Sequence, residues 1–182
     1  MPQKREPLGL YVHIPFCASK CGYCDFYSIT GRAGRHAYAD ILVQEISSYQ
    51  GQGYTADTLF FGGGTPSLME AEELVRLLSA CREAFSLDME GEITLEANPD
   101  SVSLEYLKTL RKAGFNRVSF GAQSILDGEL KALGRRHDAS RIRQAMEWAK
   151  EAGFAHRSLD VMVGIPYDTS ESLSGTLEGF AA

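Results

Sequence analysis

Three of the four cysteines in this chain fall within eight residues. The segment runs Tyr11-Val12-His13-Ile14-Pro15-Phe16-Cys17-Ala18-Ser19-Lys20-Cys21-Gly22-Tyr23-Cys24-Asp25-Phe26, a C-x3-C-x2-C spacing. Disulfide frameworks spread their cysteines through secreted domains, so a cluster this tight reads as a metal site. Structural zinc takes four ligands, usually from two separated C-x2-C pairs. An electron-transfer [4Fe-4S] cluster also takes four thiolates. Three local thiolates on four irons leave one iron open, and an open iron chelates a substrate or cosubstrate. Three buried thiols packed in a loop, or a zinc site completed by His13, are the competing readings. Cys81 lies on the apolar stripe of a predicted helix and reads as a core cysteine.

The other chemically useful residues fall at the ends of predicted strands. Gly62-Gly63-Gly64-Thr65-Pro66 follows the second strand. It lacks the spacing of a dinucleotide fingerprint and the lysine of a P-loop, but consecutive glycines let backbone come close to a ligand. Glu96 follows Ile93-Thr94-Leu95, Gln123 follows Gly121-Ala122, and Asp160 interrupts an otherwise apolar strand. Strand C-termini are where parallel α/β barrels build their sites. A cap, a turn residue or a paired carboxylate is the plainer explanation for each of these residues alone. Arg135-Arg136-His137 opens a loop, where a solvated basic turn is the plainer reading, above all for Arg136.

The elements that must position these groups alternate along the chain. Strands are predicted over 10–15, 58–61, 92–97, 117–121 and 158–163. Helices are predicted over 35–50, 71–85, 104–113 and 140–152, with a last one starting near Ser170, where Ser170-Glu171-Ser172 offers capping chemistry. Gly114 and Gly153 are placed to end helices. Five βα units in succession imply a parallel sheet, either open and doubly wound or a barrel. A barrel of five units closes poorly, so the expectation is a parallel barrel cut short, as one incomplete domain over 1–182.

The 182 residues suffice for one domain with a real core. A net charge of −6 offers no basic field to nucleic acid or to an anionic membrane. No apolar run approaches the roughly 20 residues that span a bilayer, and the basic N-terminal residues precede no apolar stretch of signal-peptide length. The expected compartment is the cytoplasm.

With its cysteine spacing the chain resembles the radical SAM superfamily. That resemblance implies that the open iron binds the amino and carboxylate groups of S-adenosylmethionine, which the reduced cluster cleaves to a 5′-deoxyadenosyl radical. It also implies that Tyr23 packs near the adenine and that the glycine run holds the amino group. Further signatures are Tyr11-x-His13-Ile14-Pro15-Phe16-Cys17, Glu96-Ala97-Asn98-Pro99, Gly121-Ala122-Gln123-Ser124, Leu133-Gly134-Arg135 and Asp160 through Pro166. In these the chain resembles the coproporphyrinogen dehydrogenase (oxygen-independent coproporphyrinogen III oxidase) group. The implied fold is a partial (β/α)6-type barrel ending after five βα units, without the family's C-terminal domain. The implied cluster ligands are Cys17, Cys21 and Cys24. The implied cosubstrate contacts are Tyr11, Tyr23, Gly63, Gly64, Thr65, Glu96, Gln123, Arg135 and Asp160, with no catalytic residue assigned.

In the dehydrogenase a further cysteine follows the third by two residues, and here that position is Phe26. In this the chain is similar to the HemW-type haem chaperone branch. The implied ligand is then haem, with porphyrinogen and its oxidative decarboxylation as the alternative. The implied partners are a reductant protein of flavodoxin or ferredoxin type and a haem-acceptor protein.

Overall fold

The computed structural model describes residues 6–31, 33–88 and 90–181. The basic N-terminal residues 1–5 lie outside these. The elements are β1 (Leu8–Ile14), β2 (Phe16–Cys17), β3 (Ile29–Thr30), α1 (Arg35–Ser47), β4 (Ala56–Gly63), α2 (Ala71–Phe85), β5 (Glu92–Ala97), α3 (Leu104–Ala113), β6 (Arg117–Gln123), α4 (Asp127–Ala132), α5 (Ala139–Glu151), β7 (His156–Val161) and α6 (Ser170–Ala181). The large sheet is all parallel, in the order β1-β4-β5-β6-β7. That order never reverses. A doubly wound sheet turns back at a switch point, whereas winding in one direction is how a barrel is built, so the barrel reading holds.

Alternation along each strand explains both faces of the sheet. Leu59 and Phe61 on β4, Ile93 and Leu95 on β5, and Val118 and Phe120 on β6 are fully buried in the main core. α2 covers this face with Leu74, Leu77, Leu78, Cys81 and Phe85, as its spacing predicts. Cys81 is a core cysteine. It is 1 % exposed, and burial pushes its thiol up to about 12. Residues of the other parity carry polar groups: Glu92, Thr94 and Glu96 on β5, Arg117 and Ser119 on β6, Ser158 and Asp160 on β7.

Local chemistry sets the ends of the helices. The Ser103 hydroxyl accepts the Tyr106 N–H at 3.2 Å to cap α3, and Gly114 closes that helix at φ 116°. Gly153, at φ 90°, follows α5. α6 starts at Ser170 as predicted, and Ser172 of the predicted capping segment takes part in its cap. The Thr169 hydroxyl accepts the Ser172 N–H at 3.1 Å, and the Ser172 hydroxyl accepts the Thr169 N–H at 2.9 Å, a reciprocal capping box.

Other boundaries differ from prediction. α1 ends at Ser47 because the chain tightens there into successive turns that lead to Gly51 and Gly53, both at positive φ. β7 starts and ends two residues earlier than predicted: the Asp168 carboxylate accepts both the Gly164 and Ile165 N–H groups and bends the chain away from the sheet. α4 was not predicted, being one and a half turns with a glycine inside it. The two-residue β2–β3 pairing was not predicted either, because it depends on Pro15 meeting Ile29 across the cysteine loop.

Candidate functional site

The cysteine loop folds back on itself at the C-terminal end of β1. The Ile29 N–H donates to the Pro15 carbonyl at 2.7 Å, and the Gly31 N–H to that of Cys17 at 3.3 Å. Between these closures, Lys20 Nζ donates to the Phe26 carbonyl at 3.0 Å and braces the loop from within. The three thiols of Cys17, Cys21 and Cys24 are half-buried and unbridged. They line one open cleft above the strand ends. Among the described residues, no three His, Cys, Asp or Glu side chains converge as a single metal ion would need.

His13, which the competing zinc reading would need as a fourth ligand, is engaged elsewhere. Its Nδ1 accepts the Tyr11 hydroxyl at 3.1 Å, and its Nε2 donates to the Tyr27 carbonyl at 3.0 Å. The ring thereby ties the cysteine loop to β1.

The glycine run brings β4 under the loop. A Cβ on Gly64 would lie 2.7 Å from the Phe16 carbonyl oxygen and 3.0 Å from Cys17 Sγ. A Cβ on Gly63, at φ 117°, would lie 2.6 Å from the His13 ring. The close approach of backbone to the cysteine loop thus requires glycine at both positions. Thr65, 4 % exposed, donates its hydroxyl to Cys17 Sγ at 3.8 Å.

The polar strand-end residues converge on the same cleft. Glu96 Oε2 accepts the Gly63 N–H at 3.2 Å. Desolvation raises the Glu96 carboxyl above its ordinary value and the neighbouring Asp160 adds to this, while the Gly63 hydrogen bond and His13 oppose it. Ser119 donates to Asp160 Oδ1 at 2.9 Å, and Ser158 donates to Ser119 at 2.8 Å. Gln123 ends β6 at φ 73°, in the left-handed region, where the register with β7 slips. A non-glycine residue held there is strained, and such strain gathers at functional sites.

Arg135 reaches across the cleft from the loop after α4. Nη1 donates to Cys21 Sγ at 3.7 Å and to the Tyr23 hydroxyl at 3.3 Å; Nη2 donates to Asn98 Oδ1 at 2.6 Å and to the Gly121 carbonyl at 2.5 Å. Burial raises the Tyr23 phenol, with Arg135 acting in the opposite direction.

All the predicted site residues except Tyr11 line this cleft. Tyr11 is on β1 outside it, with its ring stacked on Phe60 at 6.0 Å and largely exposed. Arg136 is a surface residue paired with Asp100 at 3.4 Å. His137 is buried behind the loop, its Nε2 on the Ala122 carbonyl at 3.3 Å, and burial lowers its pKa. Ser124, from the Gly121–Ser124 signature, is structural: its hydroxyl donates to the Glu129 carboxylate at 2.5 Å and holds α4 to the end of β6. Sequence reasoning assigned no role to Asn98 and Ser119. Asn98 stands two residues after Glu96 at a strand end, and Ser119 precedes Gln123 by four on the polar parity of β6. Those positions were the available signal.

The radical SAM superfamily model matches residues 11–178. The chain is 37 % identical over 178 residues to the heme chaperone HemW of Escherichia coli, covering 96 % of this chain and 47 % of that one. It is 36 % identical over 180 residues to the oxygen-independent coproporphyrinogen III oxidase of the same organism, covering 97 % and 39 %. The solved structure of the Escherichia coli coproporphyrinogen III oxidase HemN, a radical SAM enzyme, superposes with a TM-score of 0.87 at 35 % identity, over 96 % of this chain and 41 % of that one. The chain therefore spans about half the length of the curated relatives it matches.

Proposed function

The chain belongs to the radical SAM superfamily, and from that premise we propose that it is the cluster-bearing part of a HemW-type haem chaperone. Membership implies a [4Fe-4S] cluster and S-adenosylmethionine. The residues present fit both. Three thiols from one short loop line one cleft, which suits a cubane that would take one thiolate on each of three irons. Thr65 and Arg135 already aim donors at two of those sulfurs. When bound, the cluster supplies an open coordination position and a single electron to the cosubstrate.

Cys17, Cys21 and Cys24 hold the cluster, and the closed cysteine loop sets their spacing. Gly63 and Gly64 bring the end of β4 against the cysteine loop, and together with Glu96 they would receive the methionine end of the cosubstrate. A desolvated carboxylate gains most from a cationic partner, so an ammonium group would offset the desolvation that raises the Glu96 carboxyl. Asp160, Gln123 and Thr65 present polar groups to the remainder, and Tyr23 offers a ring at the mouth of the cleft. Tyr11 acts from behind, by orienting His13 and backing the glycine run.

Identity does not separate the chaperone from the oxidase, since the values for the two Escherichia coli relatives differ by a single point. Phe26 carries the choice. It lines the mouth of the cleft and is 67 % exposed, where the dehydrogenase pattern has a further cysteine. An exposed aromatic there suits contact with a flat apolar macrocycle. Haem is then the ligand, with an acceptor protein and a flavodoxin- or ferredoxin-type reductant as partners, in the cytoplasm. No helix of the described residues is long and apolar enough to cross a membrane.

The test is anaerobic reconstitution of the natural full-length protein, followed by haem titration and a coproporphyrinogen assay on one sample. Haem uptake without porphyrinogen turnover is expected. The dense fold match to HemN favours the oxidase as the second reading, and turnover to protoporphyrinogen would establish it in place of the first.

A further inference from the structure

Two of the three cluster-ligand sulfurs receive a hydrogen bond from a side chain, and both donors meet at one residue. Thr65 Oγ1 donates to Cys17 Sγ, and Arg135 Nη1 donates to Cys21 Sγ. Asn98 lies between them. Its Nδ2 donates to Thr65 Oγ1 at 3.2 Å, which leaves the threonine hydroxyl hydrogen free for sulfur. Its Oδ1 accepts Arg135 Nη2 at 2.6 Å, which turns the guanidinium so that Nη1 faces Cys21. An amide is the side chain suited to this, since one end donates while the other accepts.

The backbone holds Asn98 in turn. Its N–H donates to Ser67 Oγ at 3.2 Å, and its carbonyl accepts the Ser101 hydroxyl at 2.8 Å. Pro99 follows and restricts the Asn98 backbone to the extended region where it is found, at φ −95° and ψ 143°. Gly121 makes space on the far side, because a Cβ there would lie 3.1 Å from Arg135 Nη2 and 3.3 Å from Asn98 Oδ1. The amide is therefore pinned before any cofactor arrives.

We propose that Asn98 is a positioning residue that sets the reduction potential of the cluster by aiming Thr65 and Arg135 at the sulfurs of Cys17 and Cys21. The proposal rests on the cluster reading above. Reduction adds negative charge to the cluster, and donors on its sulfurs stabilise that charge, so hydrogen bonding to sulfur raises the potential. Asn98 acts on both sulfurs without touching either. Arg135 contributes a full positive charge as well as a donor, so it carries the larger share of the effect.

The experiment is a redox titration of the reconstituted full-length protein, followed by the EPR signal of the reduced cluster, with iron per chain and the apo-protein melting temperature measured alongside. In Asn98→Ala the midpoint is expected to move to more negative potential with iron per chain retained. Thr65→Val and Arg135→Gln each move it the same way, Arg135→Gln further. In the Thr65→Val/Arg135→Gln double variant, adding Asn98→Ala produces no further shift, because its effect passes through those two donors. A merely structural Asn98 would lower the melting temperature and leave the midpoint where it was, which would overturn the proposal. If Asn98→Ala loads no iron, the Thr65→Val/Arg135→Gln pair carries the test alone, and an unshifted midpoint in that pair overturns it equally. A parent protein that loads no four-iron cluster defeats the cluster reading and this proposal together; a loaded parent with an unshifted midpoint in the variants defeats only this one.

Discussion

The two faces of the sheet are made by the same strands and obey opposite rules. On the helix side, Leu59, Phe61, Ile93, Leu95, Val118 and Phe120 are buried to within 1 %. On the other side, a chain of hydrogen bonds runs from Glu92 through Thr94, Arg117, Ser158 and Ser119 to Asp160. Parallel sheets usually bury both faces under apolar side chains, and closed barrels fill their interiors with branched residues. Here the inner face of β5, β6 and β7 stays polar up to the cleft. Stability is concentrated on one side of each strand and ligand chemistry on the other, a residue apart, so single substitutions separate the two.

The largest contrast comes from a cysteine proposed as a cluster ligand. Cys17→Ala is expected to lose all cluster iron, by iron and sulfide counting, while the apo melting temperature stays near that of the parent, because Cys17 lies at the rim of the cleft and is only half-buried. A stability loss as large as a core deletion would break the separation. Phe120→Ala, on the helix face of β6, is expected to cost about 3–5 kcal/mol in denaturant unfolding, and the folded remainder still to take up iron. Gly64→Ala lies where the two faces meet at the strand end. Its Cβ would press on the Phe16 carbonyl and Cys17 Sγ, so a cost of about 1–3 kcal/mol is expected together with reduced iron uptake.

Ser119→Ala sharpens the comparison on the polar face. Asp160 loses its hydrogen-bond donor, worth about 1 kcal/mol. Binding of S-adenosylmethionine, measured by calorimetry, should weaken several-fold, with a fall of only about 2–4 °C in melting temperature. The smallest effect is one of pH. The Glu96 carboxyl is raised in the folded chain, so its contribution is fully present below the ordinary value of 4.5 and is lost as pH rises through the higher folded value. Glu96→Gln should therefore gain stability relative to the parent as pH climbs through that window, and the difference should level off above it. Equal pH profiles for the two proteins would remove the desolvated carboxylate from the account of the site.

Much of the site could be read from residue order. C-x3-C-x2-C marks a metal loop by itself, because ligand count and spacing are local properties. The glycine run and the carboxylates at strand ends follow from alternation, since five apolar segments ending in polar residues point to one rim of a parallel sheet. Tyr11 was assigned by resemblance alone; its parity puts it on the same sheet face as Glu96, where its ring stacks on Phe60 beside Gly62. Ser170-Glu171-Ser172 marked the start of α6, while the partner of Ser172 in the cap, Thr169, is selected only by the backbone entry angle.

What residue order determined by itself was the set of local choices: helix and strand by period, the cysteine loop by spacing, the core face by alternation. The fold decided what depends on distant segments meeting. Asn98 and Arg135, 37 residues apart, hydrogen-bond because strand order brings the ends of β5 and β6 together. Arg135 reaches Cys21 across 114 residues for the same reason. Such contacts leave no periodic trace, since each rests on strand register and a single rotamer, and tertiary packing alone sets both.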